Sequence, residues 1–449
     1  MDNEALSRFE LTAQKLVYGG GALGYHAGHT VLVAGVLPGE RVEAEALRQA
    51  KGVVHARLRR VIEPSAERTA PPCPYFGRCG GCHYQHLEAT RQSEVKREIL
   101  RETLQRIGRI EWPGEIAVHA ADPWHYRNQV RLQLGRRDDG QAALGFFEAN
   151  SHRLAPIDAC LICSPRLNAI LGELGGAQWM ARLQGCSELV LLADQEDEQV
   201  MLTLYGAGFA DAEKLAGECM ASLPGVVGVR LEPGAPRPTP PLARPARPLA
   251  RRGPGAEILS FGKPRLRYRV GGYEYEITPG SFFQASRFLL PQFVNALTSY
   301  EGRARSLALD LHAGVGLFTL PLAHRFHQVA AVEAHPQAAA DLAHNVRCLG
   351  NPRARAVATT AAEFLRRYAQ AAPDLVVVDP PRAGVDASAL QRLAEIAPAC
   401  IHYASCHPPA LARDLALLLG RGYRLESMEM FDLFPQTFHI EAVAKLYRA

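Results

Sequence analysis

With 449 residues, 47% of them hydrophobic and 21% charged, the chain is too long for one ordinary core and too apolar for wholesale disorder. Lys plus Arg number 50 against 46 Asp plus Glu, so the net charge of +4 cannot by itself argue for a polyanionic partner. The N-terminal MDNEALSRFELTAQKL carries early acids and no apolar centre, and no apolar run reaches bilayer length. A secretory signal and a membrane span are therefore not expected, and a cytoplasmic protein is. Ten cysteines stand out in such a chain, and they point to a thiolate cluster or a catalytic thiol before a disulfide scaffold.

Residues 1–66 predict a small β-barrel. GHTVLVAGVLPGERVEAEAL reads as two strands about a Pro38-Gly39 turn, and VVHARLRRVI reads as another. Residues 67–231 predict a cysteine-bearing segment followed by a mixed α+β domain. CPYFGRCGGC sets Cys73, Cys79 and Cys82 at a spacing that can bring three thiolates to one centre, either zinc or an iron–sulfur cluster. A fourth ligand has to come from elsewhere, and DACLIC offers Cys160 or Cys163. A charged helix follows the triad over about 88–107. QVRLQL, ALGFFEA, ELVLLAD and QVMLTLY read as strands, with a helix over 167–174. Residues 232–255 lose all apolar periodicity to proline, alanine and arginine, as a linker or insertion does.

From 256 to 449 short apolar runs (SLALDL, QVAAVEA, PDLVVVDP, CIHYAS) alternate with helices such as ALARDLALLLGRG. This is a doubly wound, Rossmann-like α/β pattern with its ligand expected at the C-terminal strand ends. Asp310 ends a strand and precedes Gly314 and Gly316, while Glu333 ends the next strand, where an acid can hold ribose hydroxyls. Thr319 replaces the third glycine of a dinucleotide fingerprint. The acid before the loop and the later VVVDPPR favour S-adenosylmethionine over a dinucleotide.

Cys406 lies just past a strand in CIHYASCHPPALARD. A lone cysteine is more often a small buried residue than a nucleophile, but prolines and a following helix hold this one in a turn. An unperturbed thiol of pKa about 8.5 is a few per cent ionised at neutrality, and lowering it to about 7 would ionise roughly half. In the last strand, Ile440, Ala442 and Ala444 alternate with His439, Glu441 and Val443, so alternation alone predicts a solvent-facing Glu441.

Together SFFQAS, DLHAGVGLFTLPLA, VVVDPPRAG, YASCHPPALARD and FPQTFHIEAV, in that order, resemble the S-adenosylmethionine-dependent RNA uracil-C5 methyltransferases. GHTVLVAGVLPGERV resembles their TRAM domain, an RNA-binding barrel. The resemblance covers nearly the whole chain apart from the proline-rich segment. It implies a class I methyltransferase domain in which Cys406 adds to uracil C6 and Glu441 removes the C5 proton. It places Gln284, His312, Glu333 and Asp379 at cofactor positions. It also implies a [4Fe–4S] cluster on Cys73, Cys79, Cys82 and Cys160, with Cys163 an ordinary neighbour. Three departures are visible: His312 where an aromatic is usual, Leu317 where some members have Asn, and Thr360 where a more polar or acidic residue is frequent.

Bases crowd residues 237–269, at Arg237, Arg244, Arg247, Arg251, Arg252, Lys263, Arg265, Arg267 and Arg269, opposed only by Glu257. RYRVGGYEYE, however, reads as a hairpin turning at Gly271-Gly272, which pairs Arg269 with Glu274 and Arg267 with Glu276. RNA contacts are therefore expected from the arginines of the insertion and from Arg57, Arg59 and Arg60. A target base has to leave its stack to reach Cys406. Having both a barrel and a cluster resembles the ribosomal members, so 23S ribosomal RNA is the expected substrate, with transfer RNA the alternative, and a monomer is expected. The rival from another class is a non-catalytic RNA-binding iron–sulfur protein, against which Cys406 and Glu441 stand.

Overall fold

The computed structural model describes residues 8–137, 139–149, 151–209, 211–234 and 257–449. Arginines 237–252 of the proline-rich segment fall outside these residues. Five strands, β1 (Phe9–Leu16), β2 (Gly21–His26), β3 (His29–Ala34), β4 (Arg41–Ala50) and β5 (Val53–Glu63), close into a barrel in the order β1-β2-β3-β5-β4. Each strand buries alternate residues inward, as in Phe9, Leu11 and Ala13 of β1. β3 and β4, joined by the Pro38-Gly39 turn, do not pair with one another, because β5 lies between them.

Helix α1 (Ala89–Gly108) ends at Arg109, which takes the left-handed conformation and donates its N–H back to Leu104 O. β6 (Ile116–His119) lies within the 67–231 span, yet it pairs in parallel with a strand of the C-terminal sheet. The central part comprises β7 (Gln129–Arg136), β8 (Ala142–Phe147), β9 (Leu154–Pro156), α2 (Pro165–Leu174), α3 (Ala177–Arg182), β10 (Cys186–Ala193), β11 (Val200–Gly206), α4 (Ala212–Ser222), β12 (Val226–Pro233) and β13 (Leu259–Gly262). Its sheet runs β13-β12-β11-β10-β7-β8-β9. α2 begins on Ser164, whose side chain accepts from Leu167 N–H, with a proline in its first turn.

A hairpin of β14 (Leu266–Val270) and β15 (Tyr273–Ile277) turns at Gly271 and Gly272, both at positive φ (56° and 86°) as a two-residue turn requires. Its register pairs Arg269 with Glu274 and Arg267 with Glu276, as expected. The remaining elements are α5 (Leu290–Thr298), β16 (Leu307–Leu311), α6 (Thr319–Arg325), β17 (Gln328–Glu333), α7 (Pro336–Leu349), β18 (Ala354–Ala358), α8 (Ala361–Arg367), β19 (Leu375–Val378), α9 (Ala387–Ile396), β20 (Cys400–Ser405), α10 (Pro408–Leu419), β21 (Tyr423–Phe431) and β22 (Glu441–Arg448). They build a doubly wound sheet of order β18-β17-β16-β19-β20-β22-β21-β6. β16, β19 and β20 are buried almost throughout, which explains their unbroken apolar runs. Among the described residues no helix is long and apolar enough to cross a membrane.

Candidate active site

Strand register assembles the site. Leu311 of β16 pairs with Val332 of β17 and Val378 of β19, which brings His312, Glu333 and Asp379 to neighbouring strand ends. Val378 pairs with Tyr403 of β20, and Ser405 pairs in the antiparallel sense with Ala442 of β22. One residue further, Cys406 therefore faces Glu441. Five of the expected residues thus line one edge of a single sheet.

On the β16–β17 side, His312 (φ 63°), Gly314 (φ 57°) and Gly316 (φ 99°) turn the chain sharply out of β16. The Glu333 carboxylate accepts Gly314 N–H at 2.9 Å and His335 N–H at 2.6 Å, which fixes it beneath this loop. Thr319, read from sequence only as a missing glycine, donates its hydroxyl to Asp310 Oδ2 at 2.5 Å. Asp310 Oδ1 is buried with no protein partner, a free acceptor near the end of β16. Burial pushes Asp310 and Asp379 each up to about 7. A cation arriving here would find two carboxyls whose ionisation it favours, which suits a sulfonium ligand. Gln284 is buried in the loop that central residues hold from behind, through Asn128 N–H to Ala285 O (3.0 Å) and Arg287 N–H to Tyr126 O (3.1 Å). Thr360 caps α8 by accepting Glu363 N–H at 3.1 Å, so its side chain serves the helix. The backbone of Leu317 accepts Tyr275 OH at 2.9 Å.

On the β20–β22 side, Glu441 is only 3% exposed, which corrects the solvent-facing reading from alternation. β22 lies between β20 and β21, and both its faces are covered. Burial, reinforced by Asp379, raises the Glu441 carboxyl well above the usual range, and Arg382 opposes it. Cys406 departs from a lowered thiol in the same way. Burial and the Glu441 and Asp379 carboxylates push it up to about 12, with Arg382 pulling down. Arg382, which follows Pro380-Pro381, is thus the cation acting on both groups. A second residue that sequence reasoning missed comes from the barrel: Tyr18 donates its OH to Cys406 O at 3.3 Å and meets His407 and Phe438 edge-on. The signal was Gly19-Gly20-Gly21, since a Cβ on Gly20 would come within 3.1 Å of Phe438.

A cavity of about 1110 Å³ opens between the barrel, the cysteine segment, the central sheet and the loops that carry His407 and Phe438. Tyr18, Arg48, Arg131, Phe147 and the 69% exposed Phe282 line it. Cys73, Cys79, Cys82, Cys160 and Cys163 line the same cavity. Burial pushes Cys79 up to about 11 and Cys82 up to about 12, and each is raised further by the neighbouring thiols of the set. The buried Cys163 thiol hydrogen-bonds the Cys160 sulfur, lowering Cys160 and raising itself. Among the described residues no three His, Cys, Asp or Glu side chains converge as a ready site for one metal ion. The barrel arginines are less free than expected: Arg57 and Arg59 pair with Glu45, and Arg60 with Glu43. Arg267 and Arg269 pair with Glu274 at 3.1 and 3.5 Å.

A doubly wound sheet with a glycine turn, an acid ending the second strand and carboxyls at the strand ends defines a class I methyltransferase. The family model described as tRNA (Uracil-5-)-methyltransferase matches residues 265–449. The 23S rRNA (uracil(1939)-C(5))-methyltransferase RlmD of Shewanella amazonensis is 31% identical, covering 97% of this chain and 95% of the relative. That of Halomonas elongata is 35% identical, covering 98% and 89%. The solved tRNA (uracil-54, C5)-methyltransferase of Pyrococcus abyssi, in complex with S-adenosyl-L-homocysteine, superposes with a TM-score of 0.72 over 98% of this chain and 100% of that one, at 23% identity, and so shows the shared fold. The chain belongs to the S-adenosylmethionine-dependent RNA uracil-C5 methyltransferase family.

Proposed function

We propose that the enzyme methylates C5 of a uridine in 23S ribosomal RNA, with Cys406 as nucleophile and Glu441 as base. The observation that carries this is the register that sets Cys406 opposite Glu441 beside Asp379. Uracil C5 is a poor nucleophile, so Cys406 first forms an S–C6 bond and drives its electrons toward C5 and O4 as an enolate. S-adenosylmethionine supplies an electrophilic methyl group to that carbon, and Gln284, His312, Glu333 and Asp379 would hold it. Glu441 then takes the C5 proton, the C5–C6 double bond re-forms, and the S–C6 bond breaks to return the Cys406 thiolate. The burial that hinders ionisation of Glu441 also makes its carboxylate a strong base once formed.

The four thiols of Cys73, Cys79, Cys82 and Cys160 line one cavity, a set of soft sulfur donors suited to a [4Fe–4S] cluster. Its role would be to fold the segment between barrel and catalytic edge. Ribosomal RNA is favoured because the full-length relatives from Shewanella and Halomonas are named for it. The cavity with its aromatic and basic lining suits a single-stranded segment carrying a flipped base.

Tritium release from 5-tritiated uridine in 23S and transfer-RNA transcripts tests the reading. Wild type should release tritium from the 23S transcript, and Cys406→Ala should release none. Equal release by both proteins would overturn the nucleophile, and release from transfer RNA alone would overturn the substrate. No release from either transcript would favour the binding-protein rival.

A further inference from the structure

Residues 432–440 connect β21 to β22 and lead directly into Glu441, which pairs with Phe431 at the base of the connection. The segment has no regular structure, and three consecutive carbonyls accept hydrogen bonds from outside it. Phe434 O accepts Lys96 Nζ at 3.0 Å, Pro435 O accepts Tyr126 OH at 3.1 Å, and Gln436 O accepts the N–H groups of His83 and Tyr84 at 2.7 and 3.0 Å. Gln436 stands at φ 67°, a left-handed conformation that a non-glycine residue keeps only when its surroundings hold it there.

α1 supplies that hold. Gln92, 1% exposed, accepts Gln436 N–H at 2.8 Å and donates its amide to Gln436 Oε1 at 2.9 Å. The same amide nitrogen reaches Tyr84 O at 3.1 Å and Leu87 O at 2.8 Å, locking the chain that follows Cys82 to the connection. One helical turn on, fully buried Lys96 donates to Asp432 Oδ1 at 2.7 Å. A buried lysine and a buried glutamine are costly unless every polar atom finds a partner, and here the partners lie on the connection and on the chain just before α1. None of these bonds belongs to the sheet, so α1 fixes the path of the connection that leads into Glu441, while strand register sets Glu441 opposite Cys406.

We propose that Gln92 and Lys96 are positioning residues that fix the 432–440 connection so that Glu441 meets the C5 proton. The inference rests on Glu441 being the base. It separates the two halves of the reaction, since Cys406 follows β20 and no bond of Gln92 or Lys96 reaches it. Loosening the clamp slows proton removal and release of the enzyme, while S–C6 bond formation and methyl transfer continue.

The test uses Gln92→Leu and, from the loop side, Gln436→Gly, which removes the side chain while tolerating the positive φ. Each is mixed as full-length, cluster-loaded enzyme with S-adenosylmethionine and the labelled transcript on which wild type releases tritium. Product and covalent enzyme–RNA adduct are then resolved on denaturing gels. Both variants should lower kcat about tenfold or more with KM for RNA within about twofold, and the methylated adduct should accumulate. Unchanged kcat, or adduct and product falling together, would overturn the clamp. Glu441→Gln runs alongside: failure of that variant to accumulate adduct would overturn the base assignment instead.

Discussion

The Cys406 thiol offers a direct probe of the site's electrostatics, because its burial beside two carboxyl groups pushes it up to about 12. At about pH 7.5 a thiol of pKa about 12 is ionised to roughly 3 parts in 100,000. A free thiol of pKa about 8.5 is ionised to about one part in ten, some ~3,000-fold more. The more basic thiolate is the better nucleophile, and a Brønsted slope of about 0.45 returns roughly 40-fold of that difference. Iodoacetamide should therefore alkylate Cys406 about 80-fold more slowly than a free cysteine peptide, before any steric protection is counted. Timed alkylation between about pH 6.5 and 9.5, read by mass spectrometry of the Cys406 peptide, should give a logarithmic rate rising with a slope of about one, with no plateau. Glu441→Gln should speed the reaction and Arg382→Met should slow it, since the Glu441 carboxylate raises the thiol pKa and the Arg382 guanidinium lowers it. A plateau below about pH 9, or a rate equal to the free peptide, would refute the electrostatic account. It would point instead to a thiolate already formed in the resting enzyme.

Three further outcomes are expected. Lys96→Met leaves Asp432 buried without its cation and should cost about 3–5 kcal/mol in urea unfolding of the catalytic domain, whereas Lys96→Met/Asp432→Leu should recover most of the loss; equal losses would show that the pair is not the cause. Asp310 and Asp379, each held up to about 7, ionise more readily with a cation beside them, so S-adenosylmethionine should bind more tightly as pH rises through about 7. Calorimetry in buffers of differing ionisation enthalpy should then detect proton release, and pH-independent binding would count against the assigned pocket. Finally, an anaerobic preparation should be brown and contain iron, and Cys160→Ser should lose it while Cys163→Ala retains it; a colourless protein with stoichiometric zinc would show the wrong metal was assigned.

The doubly wound domain was legible because its central strands are buried on both faces and so write themselves as continuous apolar runs. The hairpin register was legible too, since adjacent glycines admit few turn geometries and fix which arginine stands opposite which glutamate, although the Arg267 side chain leans to Glu274. Four-residue β6 was not: IAVH is too short to show a period, and its partner lies more than 300 residues away in β21. The barrel arginines misled for a related reason. Their partners Glu43 and Glu45 lie on β4, and the irregular β4–β5 register that joins them cannot be counted from spacing.

Glu441 shows where periodicity stops being informative. Two-residue alternation predicts exposure only for a strand with one wet face, and β22 has none because β20 and β21 flank it under helices. A carboxyl in such a position carries a desolvation cost that folding alone has no reason to accept. The same is true of Lys96, Gln92 and Asp432 a few residues away in space. Packing with apolar side chains of like volume would hold the connection more cheaply, but only directed hydrogen bonds to three successive carbonyls specify a single path for its backbone. The buried polar groups around residues 432–441 are thus best understood as stability exchanged for the placement of one carboxyl, the proposed proton acceptor.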